Sequence, residues 1–582
     1  MKNCFFIFVI VFFVFSSCNT KQSAEVQTIH VDDQWKFSTG DDATWANPDF
    51  DDNGWATLSV RSHWENQGYE DHDGYGWYRK RVTIPAGSQD SIEKYGGIVI
   101  AYDSADDVDE LFFNGHSIGT TGSFPPDYKG KLDAKRKYIV PAKHILYDSP
   151  NTIAVRVYDG GGGGGIVTQQ FTVRTMTPLD GVTYTFTLSA KEWVFTDDEF
   201  PQMDIMLNNT YNDSLELKVI CILTTDKHEL VDSITGSRKL NPMGKELVEI
   251  PFALPAPGFY RCKIYMEKDG LTSDPQNFNI GYEPEKIISP SDAKEDFETF
   301  WQETLKELDR VNPDYKITLL PELSTGAKNI YKVEMMSFGN IKIEGYYATP
   351  KAKGVYPAII AYMGYGADGY YPHTDASPGY AEFVLSVRGQ GFLKPDNIYN
   401  SDWITYGLDS KENYYYRGAF MDLIRGVDFL VSRPEVDSKR ILAEGSSQGG
   451  TFTLAACALD HRILAGAPTL PGFSDYRDYF EITPWPRSSF QYYLDQHPGD
   501  SWDRLYDLLT YFDVKNLAQW IKCPIVMGIG LQDETCPPHI NFAAYNLIGS
   551  EKDYRIYRDQ GHSTPLEWYL FRMEFFNKQT GK

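Results

Sequence analysis

The spacing of apolar and polar residues changes character twice along the chain. Over residues 28–178 short apolar runs, among them Gly97–Ala101, Leu111–Phe113 and Thr152–Tyr158, are separated by Gly, Pro and Asn-Gly punctuation. Many short strands between turn signals predict an all-β sandwich. Residues 179–285 alternate apolar and polar positions, as in Leu215–Thr224 and Gly258–Met266, with no long helical period, and predict a second, smaller sandwich. Glu283-Pro284-Glu285 and Ser289-Pro290-Ser291 break that pattern, and an acidic helix follows. From 286 to 582 the apolar runs Val355–Tyr362, Phe383–Val387, Ile441–Glu444, Ile463–Ala467 and Ile525–Ile529 alternate with amphipathic stretches, such as Phe420, Leu423, Ile424, Val427, Leu430 and Val431. This alternation predicts a mostly parallel sheet covered by helices.

The start of the chain has a different pattern again. Lys2 precedes the eleven apolar residues Phe5–Phe15, which are followed by Ser16, Ser17 and Cys18. A charged start, a short apolar run and small residues mark residues 1–17 as an export signal, with 18–27 as a linker. Such a run covers only about half of a bilayer core as a helix, so a permanent span is not expected. The residues before Cys18 resemble a bacterial lipobox, with Phe15 where Leu is usual, and imply a membrane anchor through lipidated Cys18. Simple secretion is the alternative. In the Gram-negative lipoproteins that this segment resembles, an acidic run after the cysteine often marks surface export. None follows Cys18, which favours a periplasm-facing anchor in the cell envelope.

Composition narrows the partners. The 582 residues carry 55 Lys and Arg against 80 Asp and Glu, a net charge of −25, so no basic field exists for nucleic acid. Trp35, Trp45, Trp55, Trp64 and Trp77 fall close together in the first sandwich. They are expected to pack its core rather than to form a sugar-stacking platform. Asp103, Asp106, Asp107, Asp109 and Glu110 could hold Ca²⁺, but they match no EF-hand spacing and are expected to form a solvated acidic turn. The six glycines Gly160–Gly165 lack the Lys-Ser/Thr and helix of a phosphate cradle and are expected to form a flexible loop. Cys221 and Cys262 share one β domain and form either a disulfide or two buried thiols. No Cys/His spacing suggests a metal, and no cofactor is implied.

The chemistry is concentrated in the last domain. Strand Ile441–Glu444 runs into Gly445-Ser446-Ser447-Gln448-Gly449-Gly450, and a helical pattern follows. This is a G-x-S-x-G elbow in strand–turn–helix context, with Ser447 as candidate nucleophile. Glycine flanks are required because the tight turn brings backbone segments too close for a Cβ. A serine hydroxyl needs a histidine base held by a carboxylate, in the order Ser, Asp or Glu, His. Asp533 follows strand Ile525–Ile529 and His562 follows Arg555–Tyr557; the rivals are Glu534 and His539, the latter expected to be exposed at a helix start. Two N–H donors must hold the oxyanion. The backbone of Gln448 supplies one, and Tyr365, in the loop Met363-Gly364-Tyr365-Gly366, the other.

Two resemblances emerge from these motifs. Gly76-Trp77-Tyr78-Arg79-Lys80-Arg81-Val82, Glu110–Gly115 and Ile118-Gly119 resemble the sugar-binding-like, galactose-binding-like jelly roll of glycoside hydrolase family 2; the middle domain fits an immunoglobulin-like sandwich. Arg388-Gly389-Gln390, the GSSQGG elbow, Asp533–Pro538, Phe542–Asn546 and Gly561-His562 together resemble the acetyl xylan esterase and cephalosporin C deacetylase family, carbohydrate esterase family 7. That resemblance implies an α/β-hydrolase fold and a serine esterase that removes acetyl groups from acetylated xylo-oligosaccharides or related sugars. Its implied site is Ser447, Asp533 and His562, with Tyr365 and Gln448 as oxyanion hole and Arg388 with Gln390 as a structural brace. From the residues alone, Arg388 could equally be a surface cation. The family's His-Gly-Tyr is Met363-Gly364-Tyr365 here, and its His-Glu is His562-Ser563. An exported prolyl-oligopeptidase-like serine peptidase and a non-catalytic glycan-binding lipoprotein are the competing functions, and the oligomeric state is left open.

Overall fold

In the computed structural model, described for residues 26–582 apart from 71, 133, 373–376, 397, 400 and 401, the chain forms three successive β-containing units. Cys18 and the export segment lie outside the described residues. The first unit packs a six-stranded antiparallel sheet against a four-stranded one. Alternate residues of both sheets, including Trp35, Phe37, Tyr78, Ile98, Ile100, Phe113 and Val155, close its core. Trp35, Trp64 and Trp77 are fully buried, while Trp45 and Trp55 meet edge to face at 5.0 Å beside Trp77. The tryptophans are packing residues. Asn114 and Gly115 turn the chain between Val108–Phe113 and His116–Thr121 with φ of 48° and 79°, the positive pair that a two-residue hairpin turn requires.

One expectation for this unit is corrected and a second is narrowed. The acidic segment is not a solvated turn: Asp109 is buried, accepts from Arg136 Nε at 2.7 Å, and takes the hydroxyls of Tyr102 and Tyr138. Burying that carboxylate is possible because both of its oxygens meet donors, one of them cationic. The glycine loop is exposed at Gly160–Gly162 and packed at its far end. Gly164 donates to Glu65, its carbonyl accepts from Trp64 N–H, and a Cβ there would lie 2.2 Å from the Trp64 ring.

The second unit is a sandwich of a three-stranded sheet and a larger sheet built on Gly258–Lys268 and Leu215–Thr225. Cys221 and Cys262 are free and buried inside it.

The third unit carries one nine-stranded sheet. Its strands are β1 (Lys316–Leu319), β2 (Lys328–Ser337), β3 (Ile341–Pro350), β4 (Tyr356–Tyr362), β5 (Ala381–Ser386), β6 (Val436–Ser446), β7 (Ile463–Thr469), β8 (Ile525–Gly530) and β9 (Lys552–Tyr557). They lie in the order β1-β2-β3-β5-β4-β6-β7-β8-β9, parallel from β5 onward. Helices α1 (Phe297–Asp309), α2 (Tyr415–Val431), α3 (Gln448–Leu459), α4 (Pro538–Tyr545) and α5 (Leu566–Thr580) flank it. Central strands are buried on both faces, which explains their near-continuous apolar runs. Four short helices between Tyr476 and Ala518 separate β7 from β8. The strand ends of β4, β6, β8 and β9 converge on one edge, where open α/β sheets place their sites.

Candidate active site

The elbow is built by close backbone approach. Ser447 sits between β6 and α3 at φ 60° and ψ −123°, a region that non-glycine residues avoid and that a nucleophile elbow uses. A Cβ at Gly449 would lie 2.1 Å from Tyr362 O, one at Gly445 2.4 Å from Gly449 O, and one at Gly450 2.5 Å from Thr469 O. Any side chain there would push β6 away from its neighbours. Ser447 N–H is fixed by Thr469 O at 2.9 Å. Gln448 opens α3, whose first N–H groups have no intrahelical acceptor and carry the positive end of the helix dipole.

The loop after β4 covers the elbow. A Cβ at Gly364 would lie 3.5 Å from Ser446 O and 3.9 Å from Ser447 Cβ, so Met363–Gly366 and Ser447 are neighbours. Met363 is buried, with the Ser386 hydroxyl 3.8 Å from its sulfur. Tyr365 packs edge to face on Trp403 at 5.4 Å and Trp485 at 5.8 Å, and burial pushes its phenol up to about 12. These two tryptophans place an aromatic wall beside the elbow. Neither belongs to a motif that the sequence offers, although both stand out as large rings in polar loops.

Asp533 is buried just past β8. Its Oδ1 accepts the N–H groups of Thr535 and Cys536, both at 2.8 Å, and its Oδ2 accepts His562 Nδ1–H at 2.8 Å. Three donors fix the position and orientation of this carboxylate. The rivals are placed elsewhere. Glu534 is 81 % exposed and faces Arg261 at 3.9 Å. His539 is not an exposed helix start: its side chain is only 12 % exposed, with Nδ1 2.7 Å from Asp226 and Nε2 3.1 Å from Asp478. Burial works against its charge, but the two carboxylates outweigh it and raise the imidazole to about 9. Ser563 turns its hydroxyl to Gln560 at 2.8 Å.

Arg388 and Gln390 lie beneath the loops. Arg388 is buried and forms a two-pronged pair with Asp422, at 2.7 and 2.8 Å, while also donating to Phe338 O. A planar fork of this kind fixes orientation as well as charge. Gln390 Oε1 accepts from Gln448 Nε2 at 2.9 Å and from Gly366 N–H at 3.4 Å, and its Nε2 donates to Tyr415. One side chain thus ties the loop after β4 to the start of α3.

The second sandwich presses on the acid side. Asn279 donates its N–H to Gln532 Oε1 at 2.7 Å and its side-chain amide to Leu531 O, and Gln532 donates back to Asn279 O. Arg558, four residues before His562, donates to Lys191 O.

A strand–elbow–helix serine, an aspartate–histidine pair on later strand ends and a nine-stranded sheet of this order define an α/β-hydrolase. Residues 282–579, just over half of the chain, match the family model "Acetyl xylan esterase (AXE1)", and the chain belongs to that family. It is a serine hydrolase of carbohydrate esters. Residues 40–162 match the model for the second all-β domain of β-galactosidase, in keeping with the sandwich found there. Acetyl esterase Axe7A of Xylanibacter ruminicola is 26 % identical over 339 residues, 56 % of this chain and 75 % of its own length. β-Galactosidase BoGH2A of Bacteroides ovatus is 28 % identical over 135 residues, 21 % of this chain and 14 % of its own. Among solved structures, an acetyl xylan esterase from Paenibacillus sp. R4 is 32 % identical, covering 51 % of this chain and 98 % of its own at a TM-score of 0.49.

Proposed function

We propose that the protein removes acetyl groups from acetylated xylo-oligosaccharides or related sugars through an acyl-Ser447 intermediate. The observation that carries this is the 2.8 Å Asp533–His562 bond on strand ends beside the Ser447 elbow, in a chain of the acetyl xylan esterase family. With Nδ1 committed to Asp533, Nε2 is the nitrogen left to take the serine proton. Ser447 Oγ attacks the acetyl carbonyl, and the oxyanion is held by the N–H groups of Tyr365 and Gln448, about 3 to 4 kcal/mol each. The sugar hydroxyl leaves with the proton from His562. Water, deprotonated by the same nitrogen, then releases acetate and restores the serine. In this scheme Arg388 and Gln390 brace the site through Asp422, Gly366 and Gln448 and do not touch substrate. Trp485, which is half-buried, offers a flat apolar face of the kind that sugar rings stack on, and buried Trp403 backs the Tyr365 ring.

Among the described residues no helix is long and apolar enough to cross a membrane. Anchoring through lipidated Cys18, facing the periplasm, is the localisation we propose on the sequence of the first eighteen residues; Cys18→Ser should move the protein from the membrane to the soluble fraction.

The catalytic proposal is tested by acetate release from acetylated xylose and xylo-oligosaccharides. Ser447→Ala should abolish release and leave the fold intact, and undiminished turnover would sink the proposal. A fluorophosphonate probe should label the native chain at Ser447. Absence of labelling would favour the glycan-binding alternative that Met363 and Ser563 motivate.

A further inference from the structure

The first sandwich holds a group of carboxylates for which the chain supplies too few donors. Asp106 ends strand Ser104–Asp106, Asp107 follows it, and Asp159 ends strand Pro150–Asp159 at the entrance to the glycine loop. One carboxylate oxygen from each lies within 4.8 Å of the other two. Asp106 is 8 % exposed and Asp159 is 0 % exposed. Asp107 is satisfied by the Tyr128 hydroxyl and by Gly160 N–H at 3.0 Å. Asp159 Oδ1 accepts Gly161 N–H at 2.8 Å, but its Oδ2 is sealed from solvent and has no hydrogen-bond partner.

A buried, unpaired carboxylate oxygen beside two further carboxylates needs a proton or a cation to offset the charge. Among the described residues no lysine or arginine forms an ion pair with any of the three. The nearby guanidinium of Arg136 is committed to Asp109 Oδ1 and to the carbonyls of Ala105 and Lys131. We propose that Asp106, Asp107 and Asp159 bind a calcium ion that joins the ends of these two strands to the glycine loop. The donors are all oxygen and all anionic, with no histidine or cysteine among them, which selects a hard cation over zinc or copper. Oxygens at about 2.3–2.6 Å from one calcium lie no more than about 5 Å apart, and the 4.8 Å limit on the three fits that geometry. The remaining positions would fall to carbonyls and water, as is common for calcium. Through Gly160 and Gly161 the ion would fix the loop that packs on Trp64, in a unit distant in sequence from the elbow.

The test is calcium titration of the full chain after EDTA treatment and dialysis, followed by calorimetry and thermal melting. One equivalent should bind with Kd between about 10⁻⁵ and 10⁻³ M, and Tm should rise with calcium. Asp159→Asn should weaken binding at least tenfold and flatten the Tm response. Asp107→Asn, on the more exposed side, should do the same and serves if the first variant does not fold. Neither heat nor a Tm change in the native chain at about 10 mM calcium, or an equivalent retained unchanged in either variant, would overturn the site. Tighter binding of magnesium than of calcium would overturn the choice of ion.

Discussion

The nucleophile side and the acid–base side of the site are held in different ways. Ser447 is fixed within the hydrolase sheet: Gly445, Gly449 and Gly450 let three backbone segments approach to distances no Cβ tolerates, and Thr469 O locks the serine N–H. The loops bearing Asp533 and His562 also lean on the second sandwich, through Asn279 with Leu531 and Gln532, Arg558 with Lys191, and His539 with Asp226. One half of the site is a local consequence of glycine placement. The other half depends on how two domains dock.

The largest effect should follow from the pair at the centre of the acid–base half. Asp533→Asn keeps the shape but favours the wrong histidine tautomer, and kcat should fall about 10⁴-fold with little change in Tm, measured on an acetyl ester. Gly449→Ala attacks the local half. Its Cβ has nowhere to go beside Tyr362 O, so stability should drop by about 3 kcal/mol in denaturant unfolding, together with activity. His539→Gln attacks the docked half, and its signature is a pH dependence. The native imidazole is raised from 6.5 to about 9, so its stabilisation is complete below about pH 6.5 and lost as pH rises through about 9, at most about 3 kcal/mol. Melting curves of the native chain should therefore decline over that window, and those of the variant should be flatter. A parallel decline in both would remove His539 from the account. The smallest effect is expected from Gln532→Ala, which leaves the triad intact and removes its link to Asn279. A roughly tenfold loss in kcat with KM unchanged would mark a positioning effect, whereas no change in either constant would show that docking does not reach Asp533.

What could be read from the sequence follows the same division. The elbow, the parallel strands and the Asn114-Gly115 turn were legible because each is written in neighbouring residues: apolar runs, glycines at fixed offsets and a dipeptide that tolerates positive φ. The acidic segment was misjudged because Asp109 is neutralised by Arg136, 27 residues later. His539 was misjudged because its partner Asp226 lies 313 residues away in another domain. Neighbouring residues leave Arg388 two roles, and Asp422, 34 residues on, decides between them. Trp403 and Trp485 carry no motif at all. Periodicity records which face of an element is buried, and it is silent on which distant polar group will meet it.

The docking of the second sandwich has a practical consequence for anyone who would excise the enzyme. A cut at residue 282, where the family match begins, would discard Asp226, Lys227, Phe259 and Asn279. The stub would expose the Phe542 ring, take one of the two carboxylates from His539, and strip Lys227, 2.6 Å away, from Asp478. The catalytic module is therefore not freely portable: the smallest transplantable esterase in this chain includes the sandwich ahead of it.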